Sequence, residues 1–122
     1  MRRLTFLIVE AEPAEGLSTH KLLIETAKHN VLTAYSGNEG LEMLERFPRV
    51  DAIVYDTELK DLTCEQFQAE MKRKHPKCRL VALKHRNHPN QQPKCGFKSI
   101  FSDDPAGLLK LLEEEFGGDR KS

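Results

Sequence analysis

Glu10 and Glu12 follow one apolar run, Leu4 to Val9, and Asp56 closes another that begins at Ala52. If the two runs are neighbouring strands, Glu10 and Asp56 converge at one point, with Glu12 just beyond it. Carboxylates clustered at strand ends are the ordinary beginning of a site for a hard cation such as Mg2+. The same residues also serve as helix caps that face water, and pattern alone leaves both readings open.

Other residues of chemical interest carry less. His85, His88, Cys78 and Cys95 fall close together in sequence, but their spacing fits no zinc pattern and they read as a polar loop. Cys64, near the start of a helix, reads as a packed small residue and not as a reactive thiol. The first strand–helix turn is acidic and lacks the glycines that cradle phosphates. No serine nucleophile elbow is present, and Glu113 to Glu115 form a solvated helix face.

The carboxylates need elements to hold them. Leu4 to Val9 suits a strand buried on both faces of a parallel sheet. Apolar Leu17, Leu22, Leu23 and Ala27 recur at helical spacing between Ala14 and Lys28, with Pro13 opening the helix and Asn30 capping its end. Strands follow at Val31 to Ala34, Asp51 to Asp56, Arg79 to Leu83 and Lys98 to Phe101. Between them lie a helix around Leu41 to Phe47 and another from Leu62 to Lys74, capped near Thr63. His85 to Lys94 is polar and holds two prolines, so it reads as a loop. Asp104-Pro105 opens a last helix with Leu108, Leu109, Leu111, Leu112 and Phe116 on its face, and Gly117-Gly118 stops it.

Alternating strands and helices predict an α/β fold: a flavodoxin-like, doubly wound, five-stranded parallel sheet in the order 2-1-3-4-5. That order places the ends of strands one and three side by side, at the switch point where such sheets carry their sites. The 122 residues make one domain, with 19 basic and 19 acidic side chains. A zero balance gives no reason to expect nucleic acid or an anionic membrane as a partner, and allows self-association into a homodimer. Three cysteines without a C-x-x-C pair indicate no disulfide framework and a reducing, cytoplasmic setting. The apolar start ends at Glu10, too short for a signal peptide or a membrane span.

Taken in order, Leu7 to Pro13, Ala34 to Leu41, Val50 to Asp56 and Leu80 to Leu83 resemble the receiver domain of bacterial two-component response regulators. The resemblance runs from Leu4 to Phe116. It implies a receiver-like domain over residues 1–118, a frayed tail over 119–122, and a family fourth helix reduced or missing between Lys84 and Gly96. It also implies a phosphoacceptor at Asp56, supplied by a histidine kinase, in an acidic pocket of Glu10, Glu12 and Asp56. The implied Mg2+ set is Glu10, Asp56 and the backbone of Glu58.

Several family positions are replaced. Ala11 stands where a metal-binding acid is usual and offers no oxygen. Glu12 has a longer side chain that either reaches back to a metal or points away along the chain. Lys84 stands where a Thr or Ser reads the phosphoryl group. Asp103 and Asp104 stand where a Lys-Pro is expected, with Ile100 or Phe101 near the aromatic position of strand five. Phosphoryl transfer depends on positioning and charge neutralisation, so these changes imply weak Mg2+ affinity and poor phosphorylation. Lys84 either enters the pocket to pair with Asp56 and Glu10 or points to solvent. The sequence therefore predicts a pseudo-receiver: a protein–protein interaction module for a kinase or effector, not an enzyme, needing no cofactor. The alternative is a phosphorylatable receiver that uses Asp56 and Mg2+.

Overall fold

Five strands and four helices alternate through residues 3–14, 16–86 and 95–116, the parts of the chain described by this computed structural model. They are β1 (Thr5–Val9), α1 (Thr19–Thr26), β2 (Asn30–Ala34), α2 (Gly37–Arg46), β3 (Ala52–Asp56), α3 (Cys64–Lys74), β4 (Arg79–Lys84), β5 (Lys98–Phe101) and α4 (Pro105–Phe116). The strands form one parallel sheet in the order β2-β1-β3-β4-β5, as the βαβ pattern requires. Val9 stands beside both Ala34 and Tyr55, Asp56 beside Leu83, and Lys84 beside Phe101. The carboxyl ends of β1, β3, β4 and β5 therefore lie together along one edge.

The central strands are apolar through their buried stretches, Phe6 to Val9, Ala52 to Tyr55 and Leu80 to Leu83, because both faces of the sheet are covered. Leu7, Val9, Ile53, Tyr55, Leu80 and Ala82 meet Leu44 of α2 and Phe67 and Met71 of α3. The alternate residues Phe6, Ile8, Val54, Val81 and Leu83 meet Ile24 of α1 and Leu108, Leu111 and Leu112 of α4. Each such side chain, fully removed from water, contributes about 1.5–3 kcal/mol. At Gly40 a Cβ would lie 2.9 Å from the Phe67 ring and 3.0 Å from Val9, so the missing side chain lets α2 approach β1. No helix among the described residues is long and apolar enough to cross a membrane.

The structure corrects the sequence reading at the first helix. It starts at Thr19, because the Ser18 side chain accepts the Lys21 N–H as N-cap and the chain first turns through Gly16, at φ +73°. The helix is phased so that Ile24 is fully buried, while Leu17 and Leu22 are 70% and 52% exposed. Its end is Ala27 with Lys28 at φ +73°, and Asn30 opens β2 instead of capping the helix. The cysteine reading is also corrected, since Cys64 and Cys95 are joined in a disulfide with Cα atoms 6.0 Å apart. They are 31 residues apart but lie in the same core cluster, a proximity made by topology and invisible in spacing. The expected loop and reduced helix between β4 and β5, the terminal Gly-Gly stop and the tail fall mostly or wholly outside the described residues.

Candidate functional site

Glu10 leaves β1 with its N–H donated to the Ala34 carbonyl at 3.1 Å, which carries the side chain into the edge shared with β3. Its carboxylate is buried and held from two sides. The Ser18 hydroxyl donates to Oε2, and His20 Nδ1 lies 3.0 Å from Oε1. The other ring nitrogen of His20, Nε2, donates to the Ser102 carbonyl at 2.9 Å. With an ionised carboxylate at one nitrogen and a carbonyl at the other, both nitrogens carry hydrogen and the ring is an imidazolium.

The electrostatics agree. Burial pushes the Glu10 carboxyl up, but the hydrogen bonds from His20 and Ser18 and the His20 charge together hold it below its ordinary value. The bond to Glu10 raises His20 most. Burial opposes this, and the Ser102 carbonyl and the charges of Glu10 and Asp56 assist it.

Asp56, at the end of β3, also meets a histidine. Its Oδ1 accepts the Glu58 N–H at 2.9 Å and lies 2.6 Å from His85 Nε2. His85 is the first residue after β4, and the alignment of Asp56 with Leu83 is what brings it there. Its Nδ1 lies 3.2 Å from the Ser102 hydroxyl and 3.5 Å from a Glu58 oxygen. Ser102 thus receives one histidine at its carbonyl and the other at its hydroxyl, linking the two acid–imidazole pairs. Beside the Glu10 pair opens a cavity of 420 Å³, lined by Glu10, Ala11, His20, Ser102 and Asp103 with Pro13, Leu17 and Pro105.

The remaining sequence candidates are placed apart from this centre. Lys84 does not enter the acidic pocket: its Nζ lies over the Phe101 ring, 4.5 Å from the centroid. Arg86 covers the same ring at 4.1 Å and donates through Nε to both oxygens of Asp103 at 2.8 Å. Register puts Phe101 opposite Lys84, so it is Phe101 that these two cations hold, while Ile100 packs against the second core. Asp104 accepts the Gly107 N–H at 2.9 Å and caps α4. Glu12 is exposed. Cys95 belongs to the disulfide and His85 to Asp56, while His88 lies outside the described residues.

The family resemblance implies Mg2+ at this centre, and the donor set does not fit it. Ala11 supplies no oxygen. Both Glu10 oxygens already face donors, and Oδ1 of Asp56 faces two. Among the described residues no group of three or more His, Cys, Asp or Glu stands close enough to hold a metal ion.

No family model matches the sequence, and no curated protein does. Solved structures do. A response regulator receiver domain protein from Clostridium thermocellum superposes with a TM-score of 0.77 at 19% identity, over 96% of this chain and 97% of that one. The receiver domain of a sensor histidine kinase from Pseudomonas aeruginosa, with magnesium coordinated in its active site cleft, gives 0.78 at 18%, over 95% and 99%. The Vibrio cholerae chemotaxis response regulator CheY4 gives 0.70 at 20%, over 92% and 98%. The chain has the receiver fold. Five parallel strands in the order 2-1-3-4-5 and near-complete mutual coverage leave the resemblance read from the sequence standing at the level of fold.

Within that fold, sequence reasoning missed His20, Ser18 and Ser102, and read His85 as part of a polar loop and not as the partner of Asp56. His20 sits on a helix ten residues after Glu10, and His85 lies 29 residues after Asp56. The first position after the fourth strand faces the end of the third in any 2-1-3-4-5 sheet, but with that strand read as ending at Leu83 the position fell to Lys84; β4 runs one residue further, and the position belongs to His85. His20 offered only its place in the first turn after a good capping serine.

Proposed function

We propose that this receiver-fold chain is a signalling module that works by docking on a partner protein, a kinase or an effector, without catalysing a reaction and without needing Mg2+. The carrying observation is the 2.6 Å contact between His85 Nε2 and Asp56 Oδ1. A phosphoacceptor must present a free oxygen to the incoming phosphorus, with cations to neutralise the transferred charge. Here Oδ1 is occupied by the chain's own imidazole and by the Glu58 N–H, Lys84 and Arg86 are stacked on Phe101 and do not neutralise charge at the acid, and Ala11 gives no metal ligand.

Intact mass after incubation with Mg2+ and acetyl phosphate tests this directly, with Asp56→Asn as control. The expected spectrum shows the unmodified chain in both. A phosphoryl adduct on the wild type that disappears in the variant overturns the proposal and favours a working phosphoacceptor at Asp56.

A further inference from the structure

The disulfide between Cys64 and Cys95 ties two parts of the fold that are otherwise held only by apolar packing. Cys64 is the first residue of α3, whose N-terminus is closed by a capping box between Thr63 and Gln66. Cys95 precedes Gly96, at φ +83°, where a Cβ would lie 2.8 Å from the Leu80 carbonyl oxygen. Phe97 then donates its N–H to that same carbonyl at 3.0 Å, and β5 begins at Lys98. Among the described residues no hydrogen bond or ion pair joins α3 to residues 95–101. The disulfide is the polar-free, covalent tie between them.

β5 is the shortest strand of the sheet. It has four residues, lies at the edge and pairs with β4 alone. It leads directly into Ser102, the residue that meets both His20 and His85. A tie at its entrance therefore bears on the centre at its exit. We propose that Cys64 and Cys95 form a redox-reversible dithiol that fixes β5 when oxidised and frees it when reduced.

The chemistry needs one partner, a small disulfide such as oxidised glutathione. The thiolate of Cys64 attacks it, forming a mixed disulfide and expelling one small thiol. The thiolate of Cys95 then attacks the Cys64 sulfur, closing the protein disulfide and expelling the second. Two protein thiols are oxidised, one small disulfide is reduced to two thiols, and the protons balance. Both sulfurs are buried, so exchange proceeds through opening of the short edge strand, which costs less than global unfolding. The third thiol does not compete: Cys78 is buried and pushed up to about 12, too protonated to attack.

The test is to equilibrate the full chain in glutathione buffers of graded ratio, quench with acid, alkylate unfolded and count labels by mass. The expected record is a reversible passage from one label to three within the buffered range. One label at every ratio overturns the proposal in favour of a permanent staple, and three at every ratio overturns it in favour of free thiols. Amide exchange supplies the second arm, on the reduced chain and on Cys64→Ser/Cys95→Ser. Exchange across residues 98–102 is expected to quicken at least tenfold in both, with β1 and β3 unchanged. Unchanged exchange in β5 overturns the coupling. Neither readout depends on whether Asp56 accepts a phosphoryl group.

Discussion

His20 is a cation supplied by the chain to a buried acid, and its removal is instructive. His20→Ala leaves Glu10 buried with the Ser18 hydroxyl as its remaining side-chain donor. Stripping one partner from a buried pair costs on the order of 3 kcal/mol, and urea unfolding of this variant is expected to show a loss of that size near pH 6. The dependence on pH has two limbs. The raised His20 stabilises the fold fully below its unfolded value of 6.5, and that contribution is lost as pH rises through the higher folded value. The lowered Glu10 stabilises the fold above its unfolded value of 4.5, and its contribution is lost as pH falls through the lower folded value. The pair therefore contributes most between about 4.5 and 6.5. Wild type minus His20→Ala, measured by urea midpoint from pH 4 to 9, is expected to peak in that window; a flat difference contradicts the imidazolium–carboxylate assignment. At this scale the sequence spoke clearly about the acids and not about their partners. Glu10 and Asp56 stand at strand ends, where order alone reveals them. His20 and His85 acquire meaning only from which strand lies beside which.

The elements were legible where burial is two-sided. β1 reads as a near-continuous apolar run and β3 and β4 as short strands with an apolar middle, and the structure returns all three within a residue at each end. α3 and α4 were legible too, through a threonine cap and an Asp-Pro start. α1 was not. Of its apolar residues Leu23 and Ala27 do pack against the core, but Leu17 and Leu22 point outward and Ile24 is the fully buried contact, because the cap at Ser18 sets the phase. Interior glycines of helices show the balance between propensity and packing. At Gly40 an alanine gains about 1 kcal/mol of helix propensity, but its methyl meets Phe67 and Val9 below 3.1 Å, and overpacking costs about 1–3 kcal/mol. Gly40→Ala is expected to lower the stability by about 1 kcal/mol, read from the urea midpoint. A stabilised variant would show that α2 shifts outward without loss.

Over the whole molecule the disulfide closes a loop of 31 residues that contains α3 and β4. Restricting the unfolded chain over that length is worth about 3.5–4 kcal/mol in the chain-entropy account. The reduced protein is expected to unfold at lower urea by that amount, with the slope of the transition rising as its unfolded state expands. A midpoint that does not move means the tie has no thermodynamic consequence. The disulfide was the part of the architecture least accessible to sequence reasoning. An odd count and the lack of close pairing argued against it, and only the folded chain puts residues 64 and 95 on one core face.

The sheet order has a further consequence for the chain while it is being made. β1 emerges first, yet it lies inside the sheet, with β2 on one side and β3 on the other. After β2 has docked, the nascent chain carries one unpaired flank of a mostly apolar strand until residue 56 is available. β3 then exposes its own flank until β4 arrives, and β4 until β5. The adhesive edge is handed along the sheet in the order of translation, and at each stage it is a template for another chain. The last strand ends this succession: it is the shortest and opens with Lys98, a length and a charge that discourage any further addition.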